Sequence, residues 1–224
     1  MDDSSETRAS INIDVVSDVV CPWCYIGKRR LEAAIALTPD VDVVINWRPY
    51  FLNPWIPREG IDRQTYLETK FGSADRYAVI AERVVAAAAM EGLVYAPDKV
   101  SRQPNTLDCH RLILWSRSAT DPGRMKQRLM DLYFAEGADL SDAKVLIQAA
   151  VDCGMDGDLV RRLLASDADV DRIEGEATSA KEAGIDGVPC FIFGSSVIVT
   201  GAQSPEYLAS AIERTSGRHT RLRA

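Results

Sequence analysis

The order of elements in the 224-residue sequence predicts an α/β fold: one small sheet layer interrupted by a large all-helical insertion. Three observations carry this. Runs rich in β-branched residues occur near both ends, from Ser10 and again from Gly187. The middle, from about Asp62 to Gly184, is dominated by Ala, Leu, Glu and Arg with apolar residues at helical spacing. Finally, two cysteines fall where the first strand gives way to a helix. Residues 10–60 and 185–216 are therefore assigned to one discontinuous sheet-bearing domain, and 61–184 to the helical insertion.

From Ser10, "SINIDVVSDVV" alternates and then saturates with β-branched residues, the pattern of a buried strand ending near Ser17. A helix should follow directly. Pro22 suits its first turn, where a missing N–H costs nothing, and Leu31, Ala34 and Ile35 form an apolar face opposite Lys28, Arg29 and Arg30, which read as a solvated face. It ends before Pro39. "VDVVINWRPYFLNP", closed by Pro49 and Pro54, is a second strand running out into a loop. Helices are predicted over Asp75–Glu91, Thr106–Ser118, Pro122–Glu136, Ser141–Cys153, Asp158–Leu164 and Asp169–Ala183, with Ser, Thr and Asp at several starts as caps. "GVPCFIF" and "VIVTG" around "GSS" predict a hairpin, and a last helix is predicted over Pro205–Thr215.

Charge and hydropathy narrow the function classes. With 26 basic against 33 acidic residues, a net charge of -7 and no dense basic stripe outside the tail "RHTRLRA", nucleic acid is not an expected partner. The longest apolar patch, "VVAAAAM" from Val84 to Met90, is far short of the roughly 20 residues that span a bilayer. The acidic, polar start "MDDSSETRAS" is the reverse of a secretory signal, so a cytoplasmic protein is expected.

The cysteines are Cys21, Cys24, Cys109, Cys153 and Cys190. An odd number in a reducing compartment disfavours a framework of structural disulfides. A zinc site needs four ligands, usually including a second close pair, and the chain offers only single Cys and His residues besides "CPWC", so no metal is expected. A C-x-x-C opening a helix places its first sulfur over unpaired N–H groups and the positive end of the helix dipole, which stabilise a thiolate. Cys21 is thus the candidate nucleophile, and Cys24, one turn on, the thiol that resolves a mixed disulfide. In "GIDGVPCFIF", a proline just before a buried strand is best explained at a strand start or as a cis bond, which makes Pro189 a cis candidate. Val188 would then offer its backbone to an extended client.

The "CPWC" after strand one, the helical insertion, the "GVP" before a hairpin and "VTGAQSPEYL" entering the last helix together resemble the DsbA family with its thioredoxin-like fold. Within it, "DVVCPWCYIGKRRLE", "WRPYFLNP", "NTLDCHRL" and "GVPCFIFG" resemble the cytoplasmic FrnE-like branch of polyketide-type dithiol-disulfide isomerases. The resemblance implies a thiol-disulfide oxidoreductase or isomerase acting on protein or small-molecule disulfides, with Cys21 attacking, Cys24 resolving and Pro189 as the cis proline. It implies no metal or organic cofactor beyond the Cys21–Cys24 redox pair. Pro22, Trp23, Val188, Asn105 and His110 are the candidate substrate contacts, with helix-face packing as the plain alternative for His110. The competing reading is a glutathione-dependent isomerase or transferase related to 2-hydroxychromene-2-carboxylate isomerase and the kappa-class transferases, with glutathione as co-substrate. Those relatives typically use serine where this chain has Cys21. A third reading is a cysteine-independent holdase. Either a monomer or a homodimer fits. Cys190 and Cys153 read as buried packing residues, Cys109 is left open, and His219 reads as solvated.

Overall fold

The computed structural model describes residues 8–217; the acidic start up to Thr7, and the basic tail with His219, lie outside them. Strand β1 (Ala9–Ser17) is central. It pairs in parallel with β2 (Val41–Pro49), Ile13 opposite Ile45, and antiparallel with β5 (Cys190–Phe193), Val15 opposite Phe191. Strand β6 (Val197–Thr200) completes the hairpin, so the sheet order is β2-β1-β5-β6. Period-two alternation sorts the faces. Ile11, Ile13, Val15, Phe191 and Phe193 enter the main core, while Val16 and Cys190 join Tyr50 on the other face, under helix α8 (Val170–Glu182).

Helix α1 (Pro22–Ala36) makes the crossover between the two parallel strands and packs against α9 (Pro205–Thr215). Its basic triplet is not the solvated face that the sequence suggests. Lys28 is 5% exposed, paired with Glu32 and set over the Trp47 ring, and Arg30 bonds Glu91 and the Ala202 carbonyl. Only Arg29 stays at the surface. The aliphatic stems of long cations cover apolar surface, so a helix flanked by other elements can bury them.

Between the two halves of the sheet lie α2 (Arg63–Phe71), α3 (Ala74–Met90), α4 (Leu107–Ser116), α5 (Pro122–Asp131), α6 (Ala143–Asp152), α7 (Gly157–Leu164) and α8. Asp62, Ser73, Asp121, Asp142 and Asp156 cap their helices by accepting backbone N–H bonds. A two-residue ribbon, β3 (Ile61–Asp62) with β4 (Arg102–Gln103), ties the start of α2 to the segment before α4. Two differences from the sequence reading matter for the site. Helix α2 forms on "RQTYLETKF", too polar for an apolar stripe, and the helix expected over Pro122–Glu136 stops being α-helical at Asp131, continuing as a π-helical turn from Leu132 to Glu136. Among the described residues no helix is long and apolar enough to cross a membrane.

Candidate active site around Cys21

Strand β1 ends at Ser17, and the turn through Val20 delivers Cys21 to the N-cap of α1 in extended conformation (φ -90°, ψ 114°), with Pro22 as the first helical residue. The first turn carries no acidic side chain. Backbone N–H groups of Trp23 and Cys24 therefore face the Cys21 sulfur with no carboxylate in that turn to compete. Cys21 and Cys24 are 4% and 2% exposed, and both are free thiols. They are not equivalent. The hydrogen bond from Cys24, aided by those N–H groups, holds the Cys21 thiol below its ordinary value against the opposing effects of burial and the Asp18 charge. Burial, followed by the bond to Cys21 and its charge, pushes Cys24 well up.

The peptide bond between Val188 and Pro189 is cis, and the Cys21 Sγ lies 3.6 Å from the Val188 carbonyl oxygen. Pro189 is held from behind, its carbonyl accepting from Gly201 N–H at 2.8 Å. Gly27, one turn beyond the cysteines, makes the approach possible. A Cβ there would meet Pro189 Cγ at 2.9 Å and Phe191 Cζ at 3.2 Å.

Charged groups are buried beneath the pair. Asp18, 1% exposed, accepts the Leu52 N–H at 2.8 Å, and the His110 Nε2 stands 3.4 Å from its other oxygen, close but not aligned as a hydrogen bond. Burial opposes ionisation of Asp18, yet His110 and the Leu52 amide hold its carboxyl below the usual range. Burial also keeps His110 neutral, its pKa lowered despite Asp18. Lys126, from α5, is 1% exposed, with its ammonium 5.3 Å from the centre of the Trp47 ring and without a hydrogen-bond partner. Burial brings its pKa down to about 8, and the charge at Cys24 is the strongest of those opposing that fall.

A model of the DSBA-like thioredoxin domain matches residues 12–213. The chain belongs to that family. A probable DsbA oxidoreductase from Streptomyces coelicolor is 30% identical, with a TM-score of 0.81 over 96% of this chain and 93% of that one. YwbO of Bacillus subtilis is 27% identical over 205 residues, 91% of this chain and 96% of its own length. A 2-hydroxychromene-2-carboxylate isomerase, at 14% identity, shares the fold with a TM-score of 0.70 over 95% of this chain and all of its own.

In this DSBA-like chain Cys21, Pro22, Trp23 and Val188 line one cavity of about 290 Å³, with Trp23 39% exposed at its edge. Asn105 and His110 are not brought to it. Asn105 donates to the Ile56 carbonyl and accepts the Leu107 N–H, lining a neighbouring cleft with Arg58, while His110 stands beside Asp18 below the site. Cys109, Cys153 and Cys190 are all buried thiols, and none lines the cavity. The sequence reading missed Gly27, Arg63, Gln103 and Lys126. Gly27 alone left a signal there, as the one glycine inside an otherwise amphipathic helix. The others are cations and an amide whose burial follows from tertiary packing.

Proposed function

We propose that the chain is a dithiol-disulfide oxidoreductase that works by thiolate attack from Cys21 and resolution by Cys24. The observation that carries this reading is the asymmetry of the pair: the thiol whose pKa is lowered lines a cavity, and the thiol whose pKa is raised sits behind it. Exchange needs the outer sulfur ionised and accessible, and the inner sulfur able to attack it afterwards. Val188 and Pro189 supply the wall against which a substrate sulfur is aligned. Five buried free thiols suit a reducing compartment, and the chemistry requires neither metal nor organic cofactor. Isomerase activity belongs to the same two thiols acting on a wrongly paired client.

Selective alkylation and substitution test the reading together. Iodoacetamide at neutral pH should modify Cys21 first, with a rate that rises with pH around a midpoint below that of an ordinary thiol. Cys21→Ser should abolish reduction of disulfides, and Cys24→Ser should accumulate a mixed disulfide detectable by mass spectrometry. Full activity in both variants would refute it, and turnover confined to glutathione conjugation of electrophiles would replace it with the glutathione-dependent class.

A further inference from the structure

Two residues that line the cavity beside Cys21 carry buried hydrogen-bond donors that the fold leaves without acceptors. Arg63, the first residue of α2, holds its guanidinium against the rings of Tyr66 and Tyr77, 5.1 and 5.0 Å from their centres. Among the described residues no carboxylate lies within ion-pair distance of it. Its terminal nitrogens donate to Gln103 Oε1 at 2.6 Å and to the hydroxyls of Tyr77 and Tyr133 at 2.9 and 3.3 Å. Its Nε is buried and donates to nothing. Gln103, 1% exposed, is oriented by what its oxygen accepts, from Arg63 and from the Tyr133 hydroxyl at 2.8 Å. That turns its amide nitrogen the other way, where it too is buried without an acceptor. Arg63, Gln103 and Tyr133 line the same cavity as Cys21.

Both unpartnered groups are donors, and one belongs to a cation with no counter-charge. The ligand that satisfies them is therefore acceptor-only and anionic, and a planar carboxylate matches the edge of a guanidinium. The remaining walls are aromatic or aliphatic, including Phe71, Tyr95, Phe134 and Val84. A volume of about 290 Å³ falls at the lower end of small-molecule sites and is too small for a folded client's chain. Lys70, bonded to Asn53 Oδ1, adds a second cation to the lining.

We propose that the substrate is a small disulfide carrying a carboxylate, its apolar body in the aromatic cavity, its carboxylate on Arg63 and Gln103, and its sulfur at Cys21. This rests on exchange at Cys21 as proposed above. The Cys21 thiolate attacks one substrate sulfur, breaking the substrate S–S bond, forming Cys21–S–S–R and releasing the first thiolate. Cys24 gives up its proton to the thiolate already released and attacks Cys21, forming the Cys21–Cys24 disulfide and releasing the second thiolate. Two electrons pass from the protein dithiol to the substrate in one turnover, which needs no other reductant.

Single-turnover reduction of two aromatic disulfides by the pre-reduced protein tests this. The probes are the bis(nitrobenzoate) disulfide, which is anionic, and dithiodipyridine, which is neutral. Arg63→Gln should slow the anionic probe about tenfold to a hundredfold, as expected for loss of a charge-assisted hydrogen bond, and change the neutral one less than about twofold. Arg63→Lys should recover part of the loss. In the unaltered protein, nitrobenzoate should inhibit dithiodipyridine reduction, and neither nitrobenzamide nor inorganic phosphate should do so. Equal slowing of both probes, no slowing of either, or equal inhibition by acid and amide would overturn the carboxylate site. Inhibition by phosphate as strong as by nitrobenzoate would overturn it too. Dependence of both reductions on Cys21 separates this claim from the exchange reading. If Cys21→Ser leaves both rates intact, the exchange itself fails.

Discussion

Lys126 and Cys24 are both buried from water, and the charge on each bears on the proton of the other. A buried ammonium with no hydrogen-bond acceptor is costly, and that cost lowers its proton affinity until it sits near neutrality, at about 8. Beside it, a thiol whose ionisation is opposed by burial gains a positive neighbour at the moment it must lose its proton. In the exchange proposed above, Lys126 is thus a positioning residue for the second step. Lys126→Met should slow decay of the Cys21 mixed disulfide on the order of tenfold, the equivalent of about one pKa unit, while leaving the alkylation rate of Cys21 nearly unchanged. Quenched-flow mass spectrometry reads both, and equal loss in the two steps would mean a purely structural role. Cys21, Cys24 and Pro189 were legible as a group because spacing, helix position and strand context each constrain them. Lys126 was not, since a lysine between Met125 and Gln127 reads as surface until α5 is packed on the Trp47 side of β2.

At the level of elements, helix α1 and the loop before β5 are fitted through one missing methyl group. Glycine inside a helix ordinarily costs about 0.5–1 kcal/mol relative to alanine, so Gly27→Ala should stabilise α1 taken alone. Here the added carbon would press on the Pro189 ring and Phe191, neither of which can fold aside. Overpacking of this kind costs about 1–3 kcal/mol, which exceeds the helical gain. The variant should therefore unfold at lower denaturant and react more slowly at Cys21. A raised midpoint would show that the contact is absent. The strands and the hairpin were readable as β-branched or apolar runs bounded by turn residues, and the crossover helix from Pro22 and its apolar spacing. The end of α5 was not readable, since Leu132–Glu136 keeps a helical composition; the π-helical turn there carries the consecutive Tyr133 and Phe134, both buried and both walling the cavity.

Across the whole molecule, the Asp18–His110 pair ties stability to pH, because it joins the turn after β1 to α4 of the insertion. Both groups bind protons more weakly in the folded chain than in the unfolded one. For each, the unfolded state takes up the proton first on acidification, so stability falls as pH falls. The His110 contribution begins to be lost below about pH 6.5, the Asp18 contribution below about pH 4, and no single group contributes more than about 1.4 kcal/mol per pH unit. Denaturant midpoints measured from pH 7.5 to about 4.5 should thus decline, and His110→Gln should flatten the upper part of that decline. An unchanged slope in the variant would remove His110 from the account. The pairing of halves was invisible in the sequence, where Asp18 and His110 are 92 positions apart and neither sits in a motif with the other.

The cavity reaches Cys21 and stops short of Cys24. In the proposed exchange, every encounter with the outside world is therefore conducted by one atom, in both directions of electron flow. A reductant that reopens the oxidised pair must strike the same sulfur that the substrate struck, and in doing so it expels the thiol that holds its proton more tightly, the poorer leaving group of the two. Under that proposal discharge and recharge share a single doorway and differ only in which bond behind it gives way, so substrate and reductant take turns at one sulfur.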